Sequence, residues 1–156
     1  MEEKENLILV LHGPNLNKLG EREPEIYGST TLEEINRKLV DCANKFQIKL
    51  DCFQSNHEGE IIDKIHVSSE KFSLQGIIIN AGGYTHTSIA IRDALLTTNK
   101  VPIVEVHLSN IFRRETMRQS SYIAGIAEAI ISGCGQYGYI YGFQYLMHKI
   151  DGSKKS

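Results

Sequence analysis

The sequence predicts an α/β fold: a doubly wound, five-stranded parallel sheet with helices on both faces, giving a three-layer sandwich. Three observations lead there. Short, nearly continuous apolar runs recur at 7–11 (LILVL), 76–79 (GIII) and 101–108 (VPIVEVHL), as expected of strands covered on both faces. Segments with apolar residues at helical spacing separate them, and right-handed crossovers then place helices on both sides of the sheet. The chain has 156 residues, the size of one domain. That domain is expected to span the chain, with the polar ends 1–6 and 151–156 outside the packed body.

Residues 7–11 form the first strand. The loop that follows, HGPNLNKLGEREPEIYGS, has 18 residues, far beyond the roughly 2–6 usual in α/β connections. Its length marks it as functional or disordered, and the stretch from Arg22 to Tyr27 reads as a lid. Thr30 or Thr31 caps the first long helix, with Glu33 or Glu34 completing a capping box; Leu32, Ile35, Leu39, Ala43 and Phe46 form its apolar stripe. Residues 48–54 read as the second strand. Residues 60–67 read as a helix with Ile61, Ile62 and Ile65 inward. The third strand, 76–79, ends at Asn80-Ala81-Gly82-Gly83, and a helix starts near Ser88 with Ile89, Ile91, Ala94 and Leu95 as its apolar side. After the fourth strand, 101–108, comes a basic loop or short helix at 110–119. A fifth strand is expected at 127–132. The last helix, 135–150, carries Phe143, Leu146, Met147 and Ile150 on one stripe.

Composition narrows the function. Lys and Arg number 17 against 19 Asp and Glu, a net charge of −2. That balance argues against a general nucleic-acid binder, which collects phosphates with a basic surplus. No apolar run approaches the roughly 20 residues that cross a bilayer, and the opening MEEKEN lacks the basic and apolar regions of a secretory signal. The three cysteines, Cys42, Cys52 and Cys134, form no CxxC pair and suggest neither a disulfide framework nor a zinc site. A cytoplasmic protein with reduced thiols and no membrane partner is expected.

Ligands of such sheets bind outside the carboxyl ends of the strands. Asn15, Asn17, Arg22 and Tyr27 follow strand one; Asn80 and His86 follow strand three. Within strand four Glu105 and His107 share a face, and Val104 and Val106 take the other. Ser109, Arg113, Arg114 and Arg118 come next. Each has an ordinary reading: Asn15 as a turn residue, Tyr27 as packing, His86 as a helix cap, Arg113 as a solvated cation. Glu105 and His107 resist one, because burying them unpaired costs several kcal/mol. No GxxxxGK[ST], GxGxxG or GxSxG pattern is present, which weakens phosphate, dinucleotide and serine-hydrolase readings. A metal hydrolase using His86, Glu105 and His107 stays open, though without a compact ligand motif.

These groups suit proton transfer. A phenol, with a pKa of about 10, acts as a base near neutrality only when its anion is favoured, and Arg22 beside Tyr27 can do that. Imidazole changes charge near neutral pH, so His107 can give a proton to a departing hydroxyl while Glu105 orients its ring. Arginines and backbone N–H groups after strand four can receive an anion. One base, one acid and several donors describe loss of water beside a carbonyl.

Three stretches, LVLHGPNLNKLGEREPEIYGSTTLEEI, IIINAGGYTHTSIAIRDAL and PIVEVHLSNIFRRETMRQSSY, closely resemble type II 3-dehydroquinate dehydratase, in order and spacing, over roughly residues 7–146. The resemblance implies a flavodoxin-like fold and conversion of 3-dehydroquinate to 3-dehydroshikimate in the shikimate route to aromatic amino acids. It implies an anti elimination through an enolate, with no metal, no Schiff-base lysine and no cofactor. Tyr27 would take the C2 proton, Arg22 would favour the tyrosinate, and His107, supported by Glu105, would protonate the C1 hydroxyl. Asn15 would help hold a water against the enolate oxygen. Asn80, His86 and Arg118 would bind the substrate hydroxyls and ring, and Leu108 and Ser109 its carboxylate. Asp93 would reach in from a neighbouring subunit of a dodecamer built from trimers. Arg114 matches a recurrent basic position in the same loop.

Overall fold

The computed structural model describes residues 2–21 and 23–154. Its sheet has five parallel strands, β1 Asn6–His12, β2 Lys49–Gln54, β3 Ser73–Asn80, β4 Ile103–His107 and β5 Ala129–Ser132, in the order β2-β1-β3-β4-β5. The fold is flavodoxin-like α/β, as the sequence predicts. The helices are α1 Pro24–Tyr27, α2 Leu32–Lys45, α3 Glu58–Lys71, α4 Ile89–Leu96 and α5 Tyr137–Lys154. Among the described residues no helix is long and apolar enough to cross a membrane.

Strand alternation divides the core into two layers. Ile8, Val10, Ile78, Val104 and Val106 pack with Ile35, Leu39 and Ala43 of α2 and with Tyr139, Phe143 and Leu146 of α5. Leu9, Leu11, Ile77, Ile79 and Ile103 point the other way, onto Ile61 and Ile65 of α3 and Ile91, Ala94 and Leu95 of α4. Thr31 caps α2, its hydroxyl accepting from the Glu34 amide at 3.2 Å. Ser88 caps α4 in the same way, accepting from Ile91 at 2.9 Å.

Boundaries differ from the sequence pattern where polar residues continue an element. Strand β3 begins at Ser73, three residues before its apolar run, because its polar start pairs with the start of β1. Helix α3 extends to Lys71. Helix α5 continues past Ile150 through Asp151 to Lys154, a stretch without proline. The long loop after β1 is not featureless: it contains a 3₁₀ turn at Leu16–Lys18 and the single turn α1. The basic segment after β4 folds as two 3₁₀ turns, Ile111–Arg113 and Thr116–Arg118. Ile89 and Phe46, placed on apolar stripes by periodicity, are 55% and 53% exposed. Each sits at the end of its helix, beyond the reach of the sheet.

The order 2-1-3-4-5 reverses direction between β1 and β3, and a crevice opens at their carboxyl ends. Two glycines let the chains meet there. The Gly13 amide donates to the Asn80 carbonyl at 2.7 Å, and a Cβ on Gly13 would lie 2.1 Å from the Ala81 oxygen. Gly82 has φ +56° and packs against the Pro14 carbonyl, a conformation glycine adopts without strain.

Gly13→Ala is therefore expected to destabilise the fold by about 2–3 kcal/mol, lowering Tm by roughly 5–10 °C. Gly59→Ala, where a Cβ meets nothing within 4 Å, should leave Tm unchanged or slightly raised. Thermal melts followed by circular dichroism check this; equal Tm values for the two variants would contradict it.

Candidate active site

The buried pair at the end of β4 comes first, because its placement is the most costly. Glu105 and His107 are 1% and 5% exposed, on the face of β4 that carries Ile103 toward the α3–α4 layer. Glu105 Oε2 stands 3.1 Å from His107 Nε2. The angles there fall outside those of a hydrogen bond, so both atoms are buried without a hydrogen-bond partner. The second carboxylate oxygen, Oε1, accepts from the Ser121 hydroxyl at 2.5 Å.

His107 opens into a cavity of about 150 Å3 that also touches Asn15, Asn80, His86, Leu108, Ser109, Arg114 and Arg118. The ends of β1, β3 and β4 all contribute. His86 Nδ1 lies 2.6 Å from the Ser120 carbonyl; a carbonyl only accepts, so Nδ1 carries a proton and Nε2 is left for a ligand. Arg118 Nε donates to Glu115 at 2.8 Å, and Arg114 Nε lies 3.7 Å from the other Glu115 oxygen. The Arg118 hydrogen bond holds the Glu115 carboxyl below the usual carboxylate range. Glu115 thus brackets two guanidinium groups at the rim. The backbone after β4 is tied to β5: Ser132 Oγ donates to the Ser109 carbonyl at 3.1 Å and accepts from the Ile111 amide. A site with two arginines and two imidazoles suits an anionic ligand.

Asn15 sits at φ 68°, which asparagine tolerates better than most residues. Its amide donates to Asn56 Oδ1 at 2.9 Å, Gln54 reaches the Gly13 carbonyl at 3.1 Å, and Tyr84 Oη donates to the Asn56 carbonyl at 2.8 Å. The turn after β1 is pinned from β2 and from the turn after β3. Arg22 lies outside the described residues. Tyr27 closes α1, and only its backbone is described. Asp93 is exposed on α4 and does not line this chain's cavity. Among the described residues no three His, Cys, Asp or Glu side chains are placed to hold a metal ion, so His86 does not join Glu105 and His107 in a ligand set.

A larger cavity of about 780 Å3 lies between α1 and the loop after β5, sharing Leu108, Ser109 and Arg114 with the smaller one. It lacks both imidazoles and the buried pair.

Sequence reasoning misses two groups. Ser121 is one; its only signal is a serine pair after a run of charged residues. The other is a buried chain behind Asn80. His12 continues the inward face of Ile8 and Val10, with Nε2 2.8 Å from Asn36 Oδ1 and Nδ1 3.0 Å from the Tyr139 hydroxyl. Asn80 Oδ1 accepts from the Gly82 amide at 3.1 Å, and the Asn80 side chain tempers the rise of the Tyr139 phenol. A histidine closing an otherwise apolar run is the signal that could have found it. Burial lowers the His12 pKa to about 4, partly offset by the bond to Asn36, so the ring is neutral and accepts at Nδ1. Burial likewise pushes the Tyr139 phenol up.

Residues 6–147 match the family model described as dehydroquinase class II. A 3-dehydroquinate dehydratase of Nostoc sp. is 57% identical over 93% of this chain and 97% of its own. One from Halothermothrix orenii is 52% identical, covering 93% and 96%. The crystal structure of a type II dehydroquinase from Butyrivibrio crossotus superposes with a TM-score of 0.87 at 42% identity, covering 91% of this chain and 97% of that one.

The neutral His12 makes stability depend on pH. Its folded pKa lies below the unfolded value of 6.5, so the unfolded chain binds the extra proton first. Its contribution is constant above about pH 6.5 and falls as pH drops toward about 4. Urea denaturation at pH 7.5 and 4.5 should show the native protein losing about 2–3 kcal/mol more than His12→Gln between those values. Parallel losses in both proteins would contradict the assignment.

Proposed function

The chain belongs to the dehydroquinase class II family, and we propose that its strand-end cavity dehydrates 3-dehydroquinate to 3-dehydroshikimate by anti elimination through an enolate, the third step of the shikimate route. The observation that carries this reading is the buried Glu105–His107 contact, 3.1 Å long, opening into a pocket that two arginines make hospitable to an anion.

In this reading the Tyr27 phenolate, favoured by Arg22, takes a proton from C2, beside the C3 ketone. The electron pair moves onto the carbonyl oxygen, and a water held with the help of Asn15 donates to that enolate. Collapse of the enolate forms the C1–C2 double bond and breaks the C1–O bond. His107 protonates the departing hydroxyl, so water leaves, and the tyrosine proton returns to the imidazole through solvent. Glu105 faces Nε2, so Nδ1 is the nitrogen that transfers the proton. Such acid–base assistance contributes typically 10²–10⁴-fold per group.

Binding follows the same logic. Asn80, half-fixed by its backbone bond to Gly13 and by the Gly82 amide donating to its side chain, takes a ring hydroxyl together with His86 Nε2 and Arg118. The Leu108–Ser109 backbone and the Ser109 hydroxyl take the carboxylate. Arg114 adds to the positive field. The exposed position of Asp93 supports a role in a neighbour's cavity, in trimers assembling to a dodecamer. The reading assigns the enzyme to the cytoplasm and requires neither metal nor cofactor.

The purified protein is expected to convert 3-dehydroquinate to a conjugated enone, followed by its near-ultraviolet absorbance. Tyr27→Phe should lower kcat by at least about 10²-fold with KM changed far less; normal turnover by that variant would remove the assigned base.

A further inference from the structure

We propose that Ser121 is a positioning residue that fixes which oxygen of Glu105 faces the His107 imidazole. A serine hydroxyl has one hydrogen to donate and two lone pairs to accept with. Both lone pairs of Ser121 Oγ are engaged, by the amides of Ile123 and Ala124 at 3.1 Å each. Backbone N–H groups can only donate, so the hydroxyl hydrogen has one destination, Glu105 Oε1 at 2.5 Å. Oε1 must therefore accept. Oε2, 3.1 Å from His107 Nε2, is the oxygen left facing the imidazole. The three-residue turn at Ala124–Ile126 locks this arrangement, because the two amides that orient the hydroxyl belong to the turn and its lead-in. Ile123 beside it is fully buried, so water does not compete from that side.

The consequence is directional. Glu105 presents Oε1 to Ser121 and Oε2 to the imidazole. Nε2 is the ring nitrogen on the carboxylate side, which leaves Nδ1 for the ligand. Without Ser121 the carboxyl can rotate, either oxygen can face the ring, and the ring loses its fixed partner. This rests on Glu105 and His107 forming the acid side of the reaction proposed above.

Four variants test it with 3-dehydroquinate as substrate: Ser121→Ala, Ser121→Thr, Ser121→Cys and Glu105→Gln, with the double variant Ser121→Ala/Glu105→Gln. Ser121→Ala is expected to lower kcat by about 10–100-fold, the usual cost of losing an outer partner. KM should change by less than about threefold, the signature of an interaction used in the chemical step, and the pH profile of kcat should shift. Ser121→Thr, which keeps the hydroxyl, should restore both kcat and the profile. Ser121→Cys, a weak donor, should not; this pair carries the test should the alanine variant fail to fold. The double variant should be no slower than Glu105→Gln alone. Native pH profiles in the alanine or cysteine variants, or equal impairment by threonine and cysteine, would overturn the role of Ser121. Normal turnover by both Glu105→Gln and His107→Ala would instead overturn the reading on which it rests.

Discussion

A carboxylate in the middle of a fully covered strand must be given partners, and the rest of the site is arranged around that requirement. Glu105 lies between the β3 and β5 neighbours of β4, opposite Ile79 and Ile130. Neither offers it a hydrogen bond. The partners come from beyond the sheet: Ser121 from the segment crossing the strand ends, and His107 two residues further along the same face. Leaving such a group uncompensated costs several kcal/mol, so the segment carrying Ser121 and the imidazole are constrained together. Placing an imidazole at the mouth of the cavity and giving a buried carboxyl its neighbours are here one structural solution.

The topology supplies the second half of the site. Because the sheet changes winding direction between β1 and β3, the connections leaving those strands part, and the crevice collects Asn15, Asn80 and His86. Gly13 and Gly82 permit backbone approach there that side chains would block. The cations arrive from a third direction, on the two short turns after β4, where Glu115 restrains Arg114 and Arg118 without occupying the pocket. Behind Asn80 the Tyr139–His12–Asn36 chain carries hydrogen bonding into the α2–α5 layer. An amide anchored that way has little freedom to turn from a ligand.

Much of this was legible in the sequence, for identifiable reasons. Strands buried on both faces leave apolar runs that no soluble helix pattern imitates, so β1, β3 and β4 stand out. Strand-end positions then name Asn15, Asn80, His86, Glu105 and His107 by counting alone. What was hidden depends on partners distant in sequence. Ser121 reads as one of several exposed serines until the fold brings it 2.5 Å from Glu105. His12 reads as the first residue of a loop, though pairing with Gln54 and Asn80 keeps it in the strand. The polar start of β3 is strand because β1 pairs with it, and the end of α5 is helix because nothing interrupts it; neither fact is written in local hydropathy.

The central claim is that base and acid act from opposite sides of the ring, a lid phenol on one and the β4 imidazole on the other. The most direct measurement uses 3-dehydroquinate carrying deuterium at one or the other C2 position, with the product examined by NMR. The account predicts that the deuterium anti to the C1 hydroxyl is lost, and that its presence slows turnover. Loss of the syn deuterium with retention of the anti label would place base and acid on the same side and contradict it.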